Sequence, residues 1–325
     1  MTSKNRKEID YLYELIRRGD IRSNDFLNHL IINAKTSRTM EDQRIKEATA
    51  KECQESLEDI MKELHQLIGL TEVKSMVNEI LAYVEIQQKR RLQGLNASSL
   101  VLHMIFKGNP GTGKTTVARL LGRIFKARGL LEKGHLIEVE RADLVGEYIG
   151  HTALKVRQQI KEGMGGILFI DEAYSLARGG EKDFGKEAID ALVKAMEDYK
   201  DDFILILAGY EEEMDNFLKV NPGLKSRFPI HIDFKDYSIE ELIDIADLMV
   251  EERQYTVSKS ARAKLYNVLA SKRINEGRYS GNARLVRNLI ERSIRKQAVR
   301  LSDKPYCTRD DLITLKREDF MDGEG

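Results

Sequence analysis

The sequence predicts an α/β fold: a parallel sheet covered by helices on both faces, with a helical N-terminal region and a helical C-terminal unit. Three observations predict it. Short apolar runs alternate with helical patterns between 101 and 234. A glycine-rich stretch, Gly108-Asn109-Pro110-Gly111-Thr112-Gly113-Lys114-Thr115-Thr116, separates the first run from the helical pattern after it. Two acids, Asp171 and Glu172, end a later run. Alternation at this length implies right-handed crossovers, and strands buried on both faces read as continuous apolar runs.

In chain order, residues 1 to about 65 are charged and helical in pattern. Ile9, Leu12, Tyr13, Leu15 and Ile16 recur at roughly helical spacing, as do Phe26, Leu27, Leu30 and Ile31. Residues 36–52 are very polar and read as a solvated helix or a linker. This region reads either as a packing and oligomer-contact segment or as a partner-docking domain. Leu67-Ile68-Gly69-Leu70 turns into a long helix to about Leu92, with Thr71 as its N-cap. A polar connection leads into a strand over 101–106, the phosphate-loop candidate and a helix over 115–128. Strands then fall at 136–139, 167–172, 203–208 and 230–234. Helices start near Thr152, Lys186 and the acidic run at Glu211, which suits a positive helix N-terminus. From Ser238 the strands stop. Helical patterns at 239–254, 258–272, 282–301 and 308–317 predict an all-helical C-terminal unit. The predicted division is 1–65, 66–236 and 237–325.

Composition excludes several classes. Of 325 residues, 42% are hydrophobic, enough to build cores. Lys plus Arg and Asp plus Glu each number 53, so nothing global draws the chain to nucleic acid or an anionic membrane. The two cysteines, Cys53 and Cys307, point to a reducing compartment rather than a disulfide framework. No run approaches a membrane span and no apolar signal core opens the chain, so the expected location is cytoplasmic. The histidines are single, without metal-ligand spacing.

The chemistry begins at the phosphate loop. G-x-x-x-x-G-K-[ST] between a strand and a helix curls its backbone N–H groups inward, and the helix N-terminus adds positive charge. Lys114 would reach the β- and γ-phosphates of a nucleotide, and the Thr115 hydroxyl would ligate Mg²⁺. Asp171 and Glu172 end a strand and face the same crevice. Asp171 can hold Mg²⁺ through water, and Glu172 can orient and deprotonate an attacking water. A guanine-reading N-K-x-D segment is absent. Arg227 and Arg284 have the donor fork that suits spread phosphoryl charge. In so charged a chain, an arginine taken alone is usually a solvated surface group.

Together these segments resemble the AAA+ ATPases. Gly108 to Thr116 resembles a Walker A and 167–172 a Walker B. Ser226-Arg227-Phe228 is similar to an arginine finger, and Gly281-Asn282-Ala283-Arg284 to a sensor 2. Leu67-Ile68-Gly69-Leu70 is similar to the box whose backbone contacts adenine. More narrowly, 145–152, Ile170-Asp171-Glu172-Ala173-Tyr174, Leu207-Ala208-Gly209-Tyr210 and 221–228 resemble the CbbX/CfxQ branch, which includes Rubisco activases and proteins of spore development. The resemblance implies a five-stranded sheet in order 5-1-4-3-2 and a C-terminal lid. It implies ATP and Mg²⁺ as ligands, a homohexameric ring in which Arg227 serves the neighbouring subunit, and remodelling of an unidentified protein partner. Tyr148-Ile149-Gly150 would be the pore loop that grips that partner; the alternative is a tyrosine packed under its own loop. Asp183-Phe184-Gly185 reads as a second pore-facing loop. One position departs from the pattern. Many AAA+ proteins carry Asn at the end of the fourth core strand, where this chain has Gly209-Tyr210. Its phenolic hydroxyl would have to substitute, or hydrolysis would be slow or partner-dependent. Two rivals to remodelling remain: an ATP-gated scaffold, and a nucleic-acid motor, which the neutral charge disfavours.

Overall fold

Alternating side chains along five short strands build one sheet with two apolar faces. The computed structural model of the chain describes residues 55–96, 101–148, 150–178, 184–276, 281–302 and 304–320. The N-terminal helical patterns up to residue 54, Ile149 of the pore-loop motif and residues 179–183, Asp183 of the second loop motif among them, lie outside the described residues. Helices α1 (Leu57–Gln66) and α2 (Thr71–Leu92) precede β1 (Met104–Gly108) and α3 (Lys114–Ala127). Then come β2 (Leu136–Val139), α4 (Arg141–Leu144), α5 (His151–Gly163), β3 (Ile167–Ile170) and α6 (Gly185–Asp198). They are followed by β4 (Ile204–Gly209), α7 (Glu211–Val220), α8 (Pro222–Lys225) and β5 (Ile230–Phe234). Every strand pair is parallel, in the order β2-β3-β4-β1-β5, which is the expected 5-1-4-3-2 read from the other edge.

The period of two divides the core. Met104, Phe106, Phe169, Ile206 and Phe234 face α1, α2 and α3. Ile105, Leu168, Ile170, Leu205 and Leu207 face α5, α6 and α7. The strand expected from Val101 begins at Met104. His103, 1% exposed, takes the Leu205 N–H on Nδ1 at 3.0 Å, so a side chain occupies that edge of the ladder.

Thr71 does not cap α2. It is the first helical residue, and the cap position is Leu70, left-handed at φ 54° with no side-chain cap bond. Gly69 and Leu70 both have positive φ and turn the chain sharply. A Cβ on Gly69 would lie 2.5 Å from Glu241 Oε1, so this turn fits close against the C-terminal unit.

The C-terminal unit is not all helical. Helices α9 (Ile239–Glu251), α10 (Lys259–Glu276), α11 (Asn282–Ser302) and α12 (Arg309–Ile313) carry with them two two-residue strands, β6 (Thr256–Val257) and β7 (Thr314–Leu315), which pair in parallel. The helix expected over 308–317 stops at Ile313. The Gln297 carboxamide donates to the carbonyls of Asp311, Leu312 and Thr314 at 3.0, 3.0 and 3.2 Å, and Leu315 is fully buried. Arg300 then clamps the buried Asp319 through two 2.9 Å bonds. The capping box of α9, Ser238 with Glu241, starts the unit. Among the described residues no helix is long and apolar enough to cross a membrane.

Helix α1 packs into the sheet's core through Ile60 and Leu64, the latter fully buried. Leu64→Ala is expected to cost about 2–4 kcal/mol in urea unfolding. Leu92→Ala, at a side chain 85% exposed, should shift stability by under about 0.5 kcal/mol in the same assay.

Candidate active site

The parallel sheet places the C-terminal ends of β1, β3 and β4 along one crevice, where such folds put their chemistry. Gly108 leaves β1 at φ 151°, and Gly111 and Gly113 follow at 75° and 97°. These values curl the loop into α3, whose first residue is Lys114. A cavity of about 970 Å³ opens above it. Gly108, Pro110, Gly111, Gly113, Lys114, Thr115 and Thr116 line one wall; Asp171 and Glu172, from the tip of β3, line another. Tyr210 closes the β4 end, and Arg284 enters from α11. Asn109 and Thr112 do not line the cavity: Thr112 is buried, and its hydroxyl donates to Asn109 O at 2.8 Å.

Lys114 lies back along the loop, its Nζ donating to Gly108 O at 2.7 Å and Asn109 O at 2.8 Å. Burial pushes its ammonium below the ordinary lysine value; Asp171 opposes that, Arg284 adds to it, and Asp236 and Glu172 oppose it. Glu172 is left-handed at φ 47°, and its N–H donates to Asp171 Oδ1 at 3.0 Å. Holding a non-glycine residue there costs about 1 kcal/mol, and the turn aims the two carboxylates separately. Burial raises the Tyr210 phenol above its usual range, with Glu172 and Asp171 adding to the shift, so the hydroxyl stays protonated. Its ring lies 5.9 Å from that of Tyr174.

The C-terminal unit touches the loop directly. Ala283 N–H donates to Gly111 O at 3.1 Å, and Tyr237 Oη to Thr112 O at 3.1 Å. Burial pushes the Tyr237 phenol up to about 12, which keeps it a donor. A Cβ on Gly111 would sit 2.5 Å from Gly281 O, so only glycine fits between loop and lid.

Three groups of expected residues lie elsewhere. Ile68 and Gly69 do not line the cavity; Ile68 packs against the core of the C-terminal unit. Arg227 is also outside it. Its Nη1 donates to Gly223 O at 2.7 Å, its Nε to Glu197 Oε1 at 3.0 Å, and its Nη2 makes a further bond to the same carboxylate. Tyr148 stands on the loop between α4 and α5, 66% exposed, with its ring edge-on to His151 at 5.4 Å. Gly150 beside it has φ 81°. Gly146, at the start of this loop, is buried, and its N–H donates to Thr152 Oγ1 at 3.0 Å.

The sequence reading missed Arg287, which also lines the cavity. Its signal was available, since it follows Arg284 by three positions and so shares its helix face. It also missed Glu140 and Arg141 on the far wall. Those are the N-cap and the first residue of a four-residue helix with no periodicity to read.

The comparisons agree with this geometry. Residues 104–236 match the model of the ATPase family associated with various cellular activities (AAA), and 238–324 match the AAA lid domain. The chain is 58% identical to stage V sporulation protein K of Bacillus subtilis (strain 168) over 265 residues, 81% of this chain and 82% of that protein. It is 45% identical to the chloroplastic ribulose bisphosphate carboxylase/oxygenase activase of Cyanidioschyzon merolae, over 82% of this chain and 91% of that one. It is also 45% identical to the chromosomal CbxX protein of Cupriavidus necator, over 79% and 81%. With a nucleotide-binding loop, a paired acid and a lid on one chain, and these matches over most of its length, the chain belongs to the AAA family of ATPases, in the branch of the CfxQ and CbxX proteins, as an ATP hydrolase.

Proposed function

We propose that the chain works as a homohexameric ring in the cytoplasm and uses ATP hydrolysis to remodel a protein partner in spore development. The observation that carries the ring is the position of Arg227. A guanidinium held on the surface beside Glu197, away from its own cavity, suits a finger that enters a neighbour's site. The likeness to a stage V sporulation protein supports the setting. The proposed division of labour is a helical N-terminal region over 1–65, an ATPase core over 66–236 and a lid over 237–325.

Within one site the roles follow from chemistry. Lys114 leaves the Gly108 and Asn109 carbonyls for the β- and γ-phosphates. The Thr115 hydroxyl and the Asp171 carboxylate are hard oxygen donors on one cavity and fit Mg²⁺. That ion would neutralise charge on the phosphate oxygens. Glu172 accepts a proton from the attacking water, and Arg284 answers charge on the γ-phosphate from the lid side. Ile68 and Gly69 lie outside the cavity, but the turn they form sets Leu70 beside Gly113, 3.7 Å from a Cβ placed there, so their backbone would contact an adenine that extends past the loop. Tyr148, with Ile149 and Gly150, grips an extended polypeptide: an exposed ring on a glycine-hinged loop contacts any chain without reading its sequence.

A second reading is an ATP-gated scaffold that hydrolyses too slowly for mechanical work. Tyr210 favours it, because a phenol kept protonated is a poorer orienter of water than a carboxamide, which both donates and accepts at fixed angles.

Steady-state hydrolysis decides between them. Specific activity should rise with protein concentration and fall at least about a hundredfold in Lys114→Ala, Glu172→Gln and Arg227→Ala. Mixing Lys114→Ala with Arg227→Ala should restore activity above either alone, because an intact finger then meets an intact site. A flat, near-zero rate with ATP binding preserved would establish the scaffold instead.

The pore loop has its own test. An unstructured polypeptide such as casein should stimulate hydrolysis in the unsubstituted chain and in Tyr148→Phe. Tyr148→Ala should keep its basal rate within about threefold and lose the stimulation, since only the gripping ring is gone. Equal stimulation in all three would remove Tyr148 from the role.

A further inference from the structure

Loop and lid also meet through a chain of polar side chains that no step above uses. Asn282 opens α11, is 1% exposed, and holds a left-handed φ of 44°. Its carboxamide is oriented at both ends. Oδ1 accepts the Tyr237 N–H at 3.0 Å, and Nδ2 donates to Asp236 Oδ1 at 2.8 Å. Asp236 in turn accepts from Asn109 Nδ2 at 2.9 and 3.0 Å on its two oxygens. The link therefore runs from the phosphate loop, through the segment that enters the lid, to the N-terminus of a lid helix. Neither Asp236 nor Asn282 lines the cavity.

The link has a geometric consequence. Ala283, next to Asn282, supplies the N–H that holds Gly111 O, and Tyr237, next to Asp236, supplies the hydroxyl that holds Thr112 O. The two linked residues thus carry the donors for two loop carbonyls. Any shift of the Asp236–Asn282 pair moves both donors together.

We propose that Asp236 and Asn282 are positioning residues for ATP binding: they hold the phosphate loop in its N–H-inward shape and tie that shape to the placement of the lid. Without the link the loop samples other shapes, and apparent affinity drops in proportion to the fraction still competent. Bound triphosphate selects the competent shape, so the chemical step is spared. The signature is a raised KM with kcat retained.

A swap of donor and acceptor tests this. Asn282→Asp keeps the acceptor for Tyr237 N–H but sets two carboxylates against each other; KM for ATP should rise about tenfold or more, with kcat within about twofold. Asp236→Asn alone should cost at most about threefold, because a flip of the Asn109 amide restores its bond. Combining the two substitutions rebuilds one bond at each joint of the link: the carboxamide introduced by Asp236→Asn then donates to the carboxylate introduced by Asn282→Asp and accepts from Asn109 on its remaining oxygen, while the second Asn109 bond and the 3.5 Å bond from Asn282 Nδ2 to Pro110 O are not rebuilt. This double variant should return KM to within about threefold of the starting chain, and direct titration with a fluorescent ATP analogue should follow the same order. A double variant as impaired as Asn282→Asp, or a single Asn282→Asp variant with unchanged KM, overturns the proposal. Should neither variant carrying the Asn282→Asp change fold, Asp236→Ala at its exposed position decides: a KM several-fold higher supports the link, and an unchanged KM overturns it.

Discussion

A loop that turns its N–H groups inward to meet phosphate must turn its carbonyls outward, and carbonyls withdrawn from water need donors. That constraint organises the structure around the nucleotide. Lys114 supplies the carbonyls of Gly108 and Asn109, and the Thr112 hydroxyl adds a second bond to the latter. Those of Gly111 and Thr112 have no donor within the loop and take theirs from Ala283 and Tyr237. The lid is therefore a structural part of the loop as well as its cover. Gly111 must be glycine because the lid approaches so closely, and the lid must approach because the loop needs its donors.

Lys114 shows how binding competes with this arrangement. Its ammonium is partly buried and lies on two neutral carbonyls, with its proton affinity lowered mainly by desolvation. Phosphate offers full negative charge in the same low-dielectric place, so the exchange of partners favours the ligand. Arg227 is in the opposite position. It already bonds a full carboxylate, Glu197, and a carbonyl, at a half-exposed site. In the proposed ring, its exchange onto a neighbour's triphosphate would trade one anion for another and gain through the greater charge and through burial between subunits. The first exchange would need one chain, and the proposed second one two.

What the sequence shows of this follows from range. The strand alternation, the glycine loop, the acid pair after β3 and the spacing of Arg284 are all local, and all are legible. The turn at Gly69 and Leu70 is local too, yet Thr71 reads as its cap because nothing nearby reveals a left-handed leucine. β6 and β7 are too short to carry a period of two, and their pairing depends on Gln297 in another helix. His103 displaces the start of β1 through a bond to a residue 102 positions away. The Asn109–Asp236–Asn282 link spans 127 and 46 positions. Each of those three residues, read alone, is an ordinary turn or cap residue. Periodicity cannot show that they meet.

Backbone strain gathers at the same place. Among the described residues four non-glycine positions have positive φ, and three of them, Leu70, Glu172 and Asn282, surround the phosphate loop or its cavity. Each conformation costs about 1 kcal/mol on its own and persists only where the surroundings over-determine it. Glu172 is held between a buried strand and a turn whose Ala173 and Tyr174 are buried. Asn282 is held by its carboxamide and by the loop itself. Glu172 at the cavity and Asn282 at the lid's contact with the loop are thus both fixed against local preference by tertiary packing. A change in lid placement moves Asn282 and Arg284 together, since both stand on α11, and through Asn282 and Asp236 it reaches the phosphate loop. The loop's shape is thereby tied to the lid's position through two residues, Asp236 and Asn282, that do not line the cavity.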